Sequence, residues 1–573
     1  VTRSCKETVS DEAVFDSGVA LVYDKESADS RKTSMSASLS NRQIARAAGV
    51  VLLGFLASGV FGLVRTAIIN ATFGATAATD AFNVAQRLPE LIFVLVAGGA
   101  LASAFIPIFA RALNEDTVRA WRLASATLTL SSLMAALLSL LVILFAPMLI
   151  GLLTPGRSAA EQQLTVDLTR IMMLTPAIFS LSGLLMGILQ THQNFLLPSL
   201  AISMNNIGII IGALLFAYWI PPQPGNLAQV GAANIYGLAW GAVLSAVLHL
   251  AVQVPGLRQI DFQGGRLIPL ADWRVPGVLD VLRLMGPRVL GLGVAQLNFL
   301  VNAFFASTMI AGSQTALANA WTLMFTALGI VAQSVGSALF PTLSALAAAD
   351  DMLGYKDRLA TALRSVLFLA LPTTVGLILL GQPLIALVFE RGLWTAESTA
   401  GTAWALAYFA LGVTGHAGLE VLSRAFYALS DTRTPVLVGG ISLLLNIALS
   451  ALFIQWIGTP GSLARGPFAG LALANSVTTL LEAVVLWWLL HRRIGSIQDA
   501  RIMDGVLRTL LAAGIMGGVL LLWLSLTDER LAAPWIGVGG VALGGLVFLA
   551  ASYALKLDEV HAVIGLLRRR LKH

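Results

Sequence analysis

Four charged residues stand where an apolar chain has little use for charge. Arg65, Asp80, Arg87 and Glu90 fall within Gly49–Phe109, GVVLLGFLASGVFGLVRTAIINATFGATAATDAFNVAQRLPELIFVLVAGGALASAFIPIF, in which two apolar spans flank a short Gly/Ala/Thr loop. A charge in such a span costs about 2.5–3.5 kcal/mol even on mild insertion scales, so by default it marks a polar cavity or a pathway. Each residue also has a structural competitor. Arg65, two-thirds along the first span, lines a cavity or pairs with a neighbour. Asp80, in ATDAF at the start of the second span, caps that helix as an N-terminal acid, serves the cavity, or does both. Arg87, with Glu90 close by, is a cavity cation or half of a structural ion pair. Arg288, after Gly286-Pro287 near the start of the seventh span, lines the cavity or snorkels.

Other polar residues inside apolar spans read as packing groups. Glu420 and Arg424, four apart, form an i,i+4 pair, while Glu482 and His249 suit packing better than a proton relay. Asn302 and Asn446 could offer oxygens to a monovalent cation, against the alternative of helix-to-helix hydrogen bonds. No GxxxxGK[ST], HExxH or CxxC pattern occurs, and the 6 His are scattered, so no catalytic constellation or cofactor site is read. Gly-rich GVGGVALGG (Gly537–Gly545) lies inside an apolar span, where small residues serve close helix packing. The drive for any transport then comes from a Na+ or proton gradient, the membrane potential or the substrate gradient.

The elements that must position these charges are membrane helices. The chain has 573 residues, 57% hydrophobic and only 12% charged, against about 25% charge in soluble domains. Apolar runs of about twenty residues, long enough to cross a bilayer core, recur fourteen times. They lie near 47–70, 84–110, 123–152, 167–190, 197–219, 230–254, 283–309, 316–347, 361–388, 400–428, 435–457, 468–490, 506–526 and 534–555. Lys and Arg gather in alternate connections (Arg111, Arg119 and Arg122; Arg258, Arg266 and Arg274; Lys356, Arg358 and Arg364; Arg492, Arg493 and Arg501), and Arg568, Arg569, Arg570 and Lys572 close the chain. Positive-inside logic puts these connections and both termini in the cytoplasm. The net charge of +6 follows from that bias and calls for no nucleic-acid partner. Residues 1–40, polar and lacking a signal-peptide core, read as a disordered cytoplasmic tail holding the single cysteine, Cys5.

The chain also repeats itself. GALASAFIPIFARAL (Gly99–Leu113) corresponds to GSALFPTLSALA (Gly336–Ala347), with Pro107 matching Pro341. Pro198 and Asn206 match Pro435 and Asn446, and GLAWGAV at Gly237 matches GLALANS at Gly470. An even number of spans separates these pairs, so the halves share one orientation, an arrangement in which substrate sits between rocking halves. The expected organisation is a tail (1–40), a six-helix lobe (41–256), a cytoplasmic linker (257–282), a second six-helix lobe (283–493) and a two-helix extension with a basic tail (494–573).

These residues support a family resemblance. FGLVR, FGATAATDAF, RLP and GGALASAFIPIFA resemble the MurJ (MviN) family of lipid II flippases, within the multidrug/oligosaccharidyl-lipid/polysaccharide exporter superfamily. MGPRVLGLGVAQLNFLVNAFFAS (Met285–Ser307), LFPTLS (Leu339–Ser344), VFERGLWTAEST (Val388–Thr399) and RAFYALSDTRTP (Arg424–Pro435) follow in family order. The resemblance implies two six-helix lobes around a cationic cavity, a groove for a polyprenyl tail, and export of undecaprenyl-diphosphate-linked disaccharide-pentapeptide across the bacterial inner membrane. A diphosphate suits Arg, whose planar fork of donors matches it. Arg65 is then the main diphosphate contact, Arg87 and Arg288 secondary ones, and Asp80 an organiser of the gate or of Arg65. The chain departs from the family pattern where Gly59, Phe93, Val94 and Thr322 stand in places the family often fills with arginine, and EGAF is replaced by GGAL. The expectation is a monomeric, non-enzymatic flippase contacting membrane lipids. Its alternatives are an ion-coupled exporter of organic cations, a flippase for another polyprenyl-linked glycan, or a scaffold that has lost its site.

Overall fold

The computed structural model describes residues 41–96, 99–221, 225–329, 334–527 and 530–561. The expected tail, 1–40, and the basic end, 562–573, lie outside the described residues. The chain divides into a unit of residues 1–50, helical where described, and a unit of 51–573 that holds the remaining helices.

In chain order the helices of the first half are α1 (Asn41–Phe73), α2 (Ala77–Ala85), α3 (Arg87–Val96), α4 (Gly99–Glu115), α5 (Thr117–Leu153), α6 (Ala159–Met172), α7 (Thr175–Thr191), α8 (Leu196–Ile211) and α9 (Tyr236–Ala251). The second half has α10 (Val278–Ser307), α11 (Ser313–Leu328), α12 (Ser334–Ala348), α13 (Met352–Phe389), α14 (Ala396–Ala410), α15 (Val413–Ala428), α16 (Arg433–Trp456) and α17 (Ala469–Ile494), followed by α18 (Asp499–Thr527) and α19 (Ala533–Ala554). Helices fall on every range the sequence marks. Among the described residues nine helical stretches, with α6 and α7 together as Ala159–Thr191, are long and apolar enough to cross a membrane, or ten if α14 and α15, bent by 45°, count as one span.

Local chemistry sets the helix starts. Asp116 caps α5 by accepting from the Val118 and Arg119 amides, and Asp351 caps the corresponding α13 through Gly354. Ser158 and Glu161 form a reciprocal capping box at the head of α6. The two halves repeat the same order: a helix of 37 or 38 residues (α5, α13), a broken span (α6–α7, α14–α15), then a closely packed pair (α8–α9, α16–α17).

Burial follows the membrane pattern. Leu133, Leu137, Leu140, Leu144 and Met148 of α5 are exposed, as are Leu437, Ile441 and Leu444 of α16, while Trp121, Phe109, Tyr355, Phe409 and Phe426 are enclosed. Such an apolar outer surface belongs in lipid. Between α8 and α9 the backbones nearly touch: a Cβ on Gly208 would lie 2.3 Å from the Ser245 Cα, and one on Gly212 2.6 Å from the Gly241 Cα. The last two helices pack on α13 around Phe368, Leu380, Met516 and Phe548, with Gly540 of the Gly-rich run against Leu380. Buried Arg364 of α13 ties to Asp558 at 3.0 Å and Glu559 at 2.9 Å just past α19.

Candidate functional site

The two halves of the chain meet at one end of the helices through Asp80. Thr76 caps α2, its hydroxyl accepting from the Thr79 amide, and this leaves the Asp80 side chain in the first turn free to reach another helix. Its Oδ1 accepts from the Thr315 amide at 2.8 Å and the Thr315 hydroxyl at 2.7 Å. Its Oδ2 accepts from the Gly312 amide and from Arg157 Nη2, both at 2.8 Å. Asp80 is 3% exposed, so all of this is bought out of solvent. Asp80 therefore caps α11, the first helix after α10, and not its own helix as the local pattern suggests. The reason is that α11 begins at Gly312, which has no side chain to satisfy its own first turn.

Four connections close around this cap. The Leu393 amide donates to the Ala71 carbonyl at 2.8 Å, and Gly392, at φ +61°, leaves no room for a Cβ against that same oxygen. Gly74, at φ +62°, packs on the Leu393 carbonyl from the opposite side. The Gly156 amide donates to Ser307, and Asn319 donates to Asn70 at 3.1 Å. Asn83 adds a bond to the Thr315 hydroxyl at 3.2 Å. Beside the cap lies a small pocket lined on one side by Arg157, Glu161 and Gln314 and on another by Ala77, Ala81, Val84 and Ala303.

Farther from this cap along the helices lie the other charges. Arg87 pairs with Glu90 at 3.0 Å, and its guanidinium sits 4.6 Å from the Phe299 ring centroid on α10. Glu90 also lies within electrostatic reach of Arg65, whose buried Nε finds no partner among the described residues. Arg65, Glu90 and Arg87 thus form one cluster with a net positive charge. The ion partner of Asp80 is Arg157 and not Arg65. Arg157 was not legible as a site residue, because it lies 77 positions from Asp80 in a connecting loop.

The remaining candidates separate. Arg288 lies on α10, and its side chain is outside the described residues. Asn302 bonds Asn298 within α10 at 3.4 Å and keeps a buried Oδ1 without a partner among the described residues. Asn446 instead bonds Thr478 of α17 and Ser450, so the two asparagines share no partner. Among the described residues no cluster of three His, Cys, Asp or Glu could hold a metal ion. Glu420 and Arg424 pair at 2.6 Å, as their spacing predicts. Phe93 packs its ring on Phe179 at 5.4 Å, and a Cβ on Gly59 would meet nothing within 4 Å.

The family described as "Lipid II flippase MurJ" matches residues 69–535. The chain belongs to that family. The "Lipid II flippase MurJ" of Burkholderia cenocepacia is 31% identical over 509 residues, 87% of this chain and 93% of the relative. The "Probable lipid II flippase MurJ" of Synechocystis sp. is 30% identical over 489 residues, 84% and 89% of the two chains. A solved structure, "Lipid II flippase MurJ, inward closed conformation", superposes with a TM-score of 0.71 at 24% identity, covering 89% of this chain and 99% of that one. An inward-facing multidrug resistance MATE family transporter of the MOP superfamily follows at 0.58 and 14% identity, covering 77% and 96%. MurJ-family membership makes the chain a multi-pass transporter and not an enzyme, and the all-α fold agrees with the family's.

Proposed function

We propose that this chain flips lipid II, a polyprenyl-diphosphate-linked glycan, from the cytoplasmic to the outer leaflet of the bacterial inner membrane by alternating access. The observation that carries the reading is the Asp80 cap on α11, which seals one end, with the Arg65–Glu90–Arg87 cluster behind it. The alternation of Lys- and Arg-rich connections supports both termini and the linker 257–282 being cytoplasmic. The seal then faces outward and the cluster is reached from the cytoplasm.

In this scheme the diphosphate binds Arg65 first, because among the described residues its guanidinium pairs with no carboxylate, and Arg87 second. The polyprenyl chain stays in lipid while the headgroup crosses. Release outward requires the Asp80 contacts with Gly312, Thr315 and Arg157 to break while the cytoplasmic ends of the two halves close. An inside-negative membrane potential drives an anionic headgroup outward, by about 2.3 kcal/mol per charge per 100 mV. Na+ or proton coupling adds to that drive where the gradient exists.

The test is appearance of lipid II at the outer face of spheroplasts, read with an externally added hydrolase. Wild-type protein is expected to expose the lipid progressively, and Arg65→Ala to expose none while inserting and melting normally. Full export by Arg65→Ala would overturn the site, and no export by the wild-type chain would overturn the function.

A further inference from the structure

Helix α11 carries aromatic surface. Trp321 and Phe325 are stacked, with centroids 5.7 Å apart and planes at 22°. Trp321 is held edge-on by Phe299 at 5.3 Å, Phe409 at 5.5 Å and His416 at 5.6 Å. His416 is in turn held by Asn475 at 3.2 Å. These contacts fix the indole from three sides. Phe325, 41% exposed, presents the open face of the stack.

This surface and the cationic cluster lie at one depth. The Asn70–Asn319 bond sets the register between α1 and α11. From it, Arg65 is five residues back along α1, about 7.5 Å at the helical rise, and Phe325 is six residues on along α11, about 9 Å. Helix α1 runs toward the seal and α11 away from it, so both displacements lead in the same direction. Phe299 joins the two walls, since Arg87 lies over its ring and Trp321 abuts its edge.

The Trp321 N–H is also available. The indoles of Trp394, Trp404, Trp487 and Trp523 donate to protein oxygens, whereas that of Trp321, like that of the enclosed Trp121, donates to none of the described residues. An indole away from lipid usually finds such a partner. Thr322 is uncharged, and its hydroxyl is occupied by the Ala318 carbonyl at 2.8 Å.

We infer that the Trp321–Phe325 stack is a saccharide platform, on which the pyranose attached directly to the diphosphate lays its C–H face while Arg65 and Arg87 hold the phosphates. A pyranose presents several polarised C–H groups on one side, which suit an aromatic face, and its hydroxyls accept from an indole N–H. This rests on the flippase reading and assigns headgroup contacts beyond those to the phosphates.

The test compares two probes by native mass spectrometry: undecaprenyl diphosphate and the same lipid bearing one N-acetylhexosamine. Wild-type protein is expected to bind the sugar-bearing lipid roughly three- to tenfold more tightly, the range an aromatic contact supplies. Trp321→Ala and Phe325→Ala are expected to erase that preference while holding the bare diphosphate within about twofold, and Trp321→Tyr to keep most of it. Arg65→Ala is expected to weaken both lipids alike. Preference retained in both alanine variants would overturn the platform, as would equal loss of both lipids in folded Phe325→Ala. Failure of wild-type protein to bind either lipid would overturn the flippase reading along with it.

Discussion

The Asp80 carboxylate receives both the backbone amide and the hydroxyl of Thr315, a residue 235 positions later in the chain, at 2.8 and 2.7 Å. One side chain thereby caps a helix of the other half of the chain and, through Arg157, ties in a third connection.

Removing that carboxylate should open the seal. Asp80→Ala leaves the half-buried Arg157 with Glu161 as its remaining ion partner and the first turn of α11 uncapped, a loss of about 1–3 kcal/mol. In a Cys5→Ser background carrying Asn319→Cys, the expected outcome is several-fold faster labelling from outside by an impermeant maleimide. An unchanged labelling rate would show that the seal does not depend on Asp80.

Glu90 holds part of the Arg87 charge in a 3.0 Å pair. Glu90→Gln should free that cation for the diphosphate and lower the apparent KM for lipid export roughly fivefold, a gain of about 1 kcal/mol. A raised KM would assign Glu90 to substrate or to positioning Arg65.

Two glycines should respond oppositely to substitution. Gly59 has open space at its Cβ, so Gly59→Arg should fold with an unaltered melting temperature and bind undecaprenyl diphosphate more tightly. Gly208→Ala would force a Cβ to 2.3 Å from the Ser245 backbone and should cost about 1–3 kcal/mol or more, visible as a lower melting temperature in detergent. Equal melting temperatures for the two variants would contradict this packing.

Asp431, in the connection between α15 and α16, should confer an acid-sensitive stability. Burial pushes its carboxyl up, but the Thr434 amide and hydroxyl and the Arg493 guanidinium together hold it below its ordinary 3.8. A lowered folded-state value stabilises the protein above the unfolded value, and that contribution is lost as pH falls through the lowered one. Thermal melts between about pH 6 and 3 should therefore fall more steeply for wild type than for Asp431→Asn. Parallel slopes would count against the contacts from Thr434 and Arg493.

Some of the site was legible because its determinants are local. The Arg87–Glu90 and Glu420–Arg424 pairs follow from helical spacing, and both form. Asp80 was legible as an N-terminal acid but not as a cap for α11, since its own helix already has Thr76. The aromatic wall gave no signal at all: Trp321 and Phe325 are a turn apart on one apolar helix, yet Phe299, Phe409 and His416 come from three others.

Taken alone, the sequence determines a polytopic helical protein with a repeated order of spans and charges at stated depths. Those properties depend on composition, run length and 3.6-residue spacing, all of which are local. Only the tertiary structure decided which charge meets which partner. Arg157 reaches Asp80, Arg65 keeps a buried nitrogen unmatched among the described residues, and Arg87 lies over Phe299. Those choices follow from how helices far apart in the chain pack, because a buried ion or donor takes whichever partner the packing brings within about 3 Å.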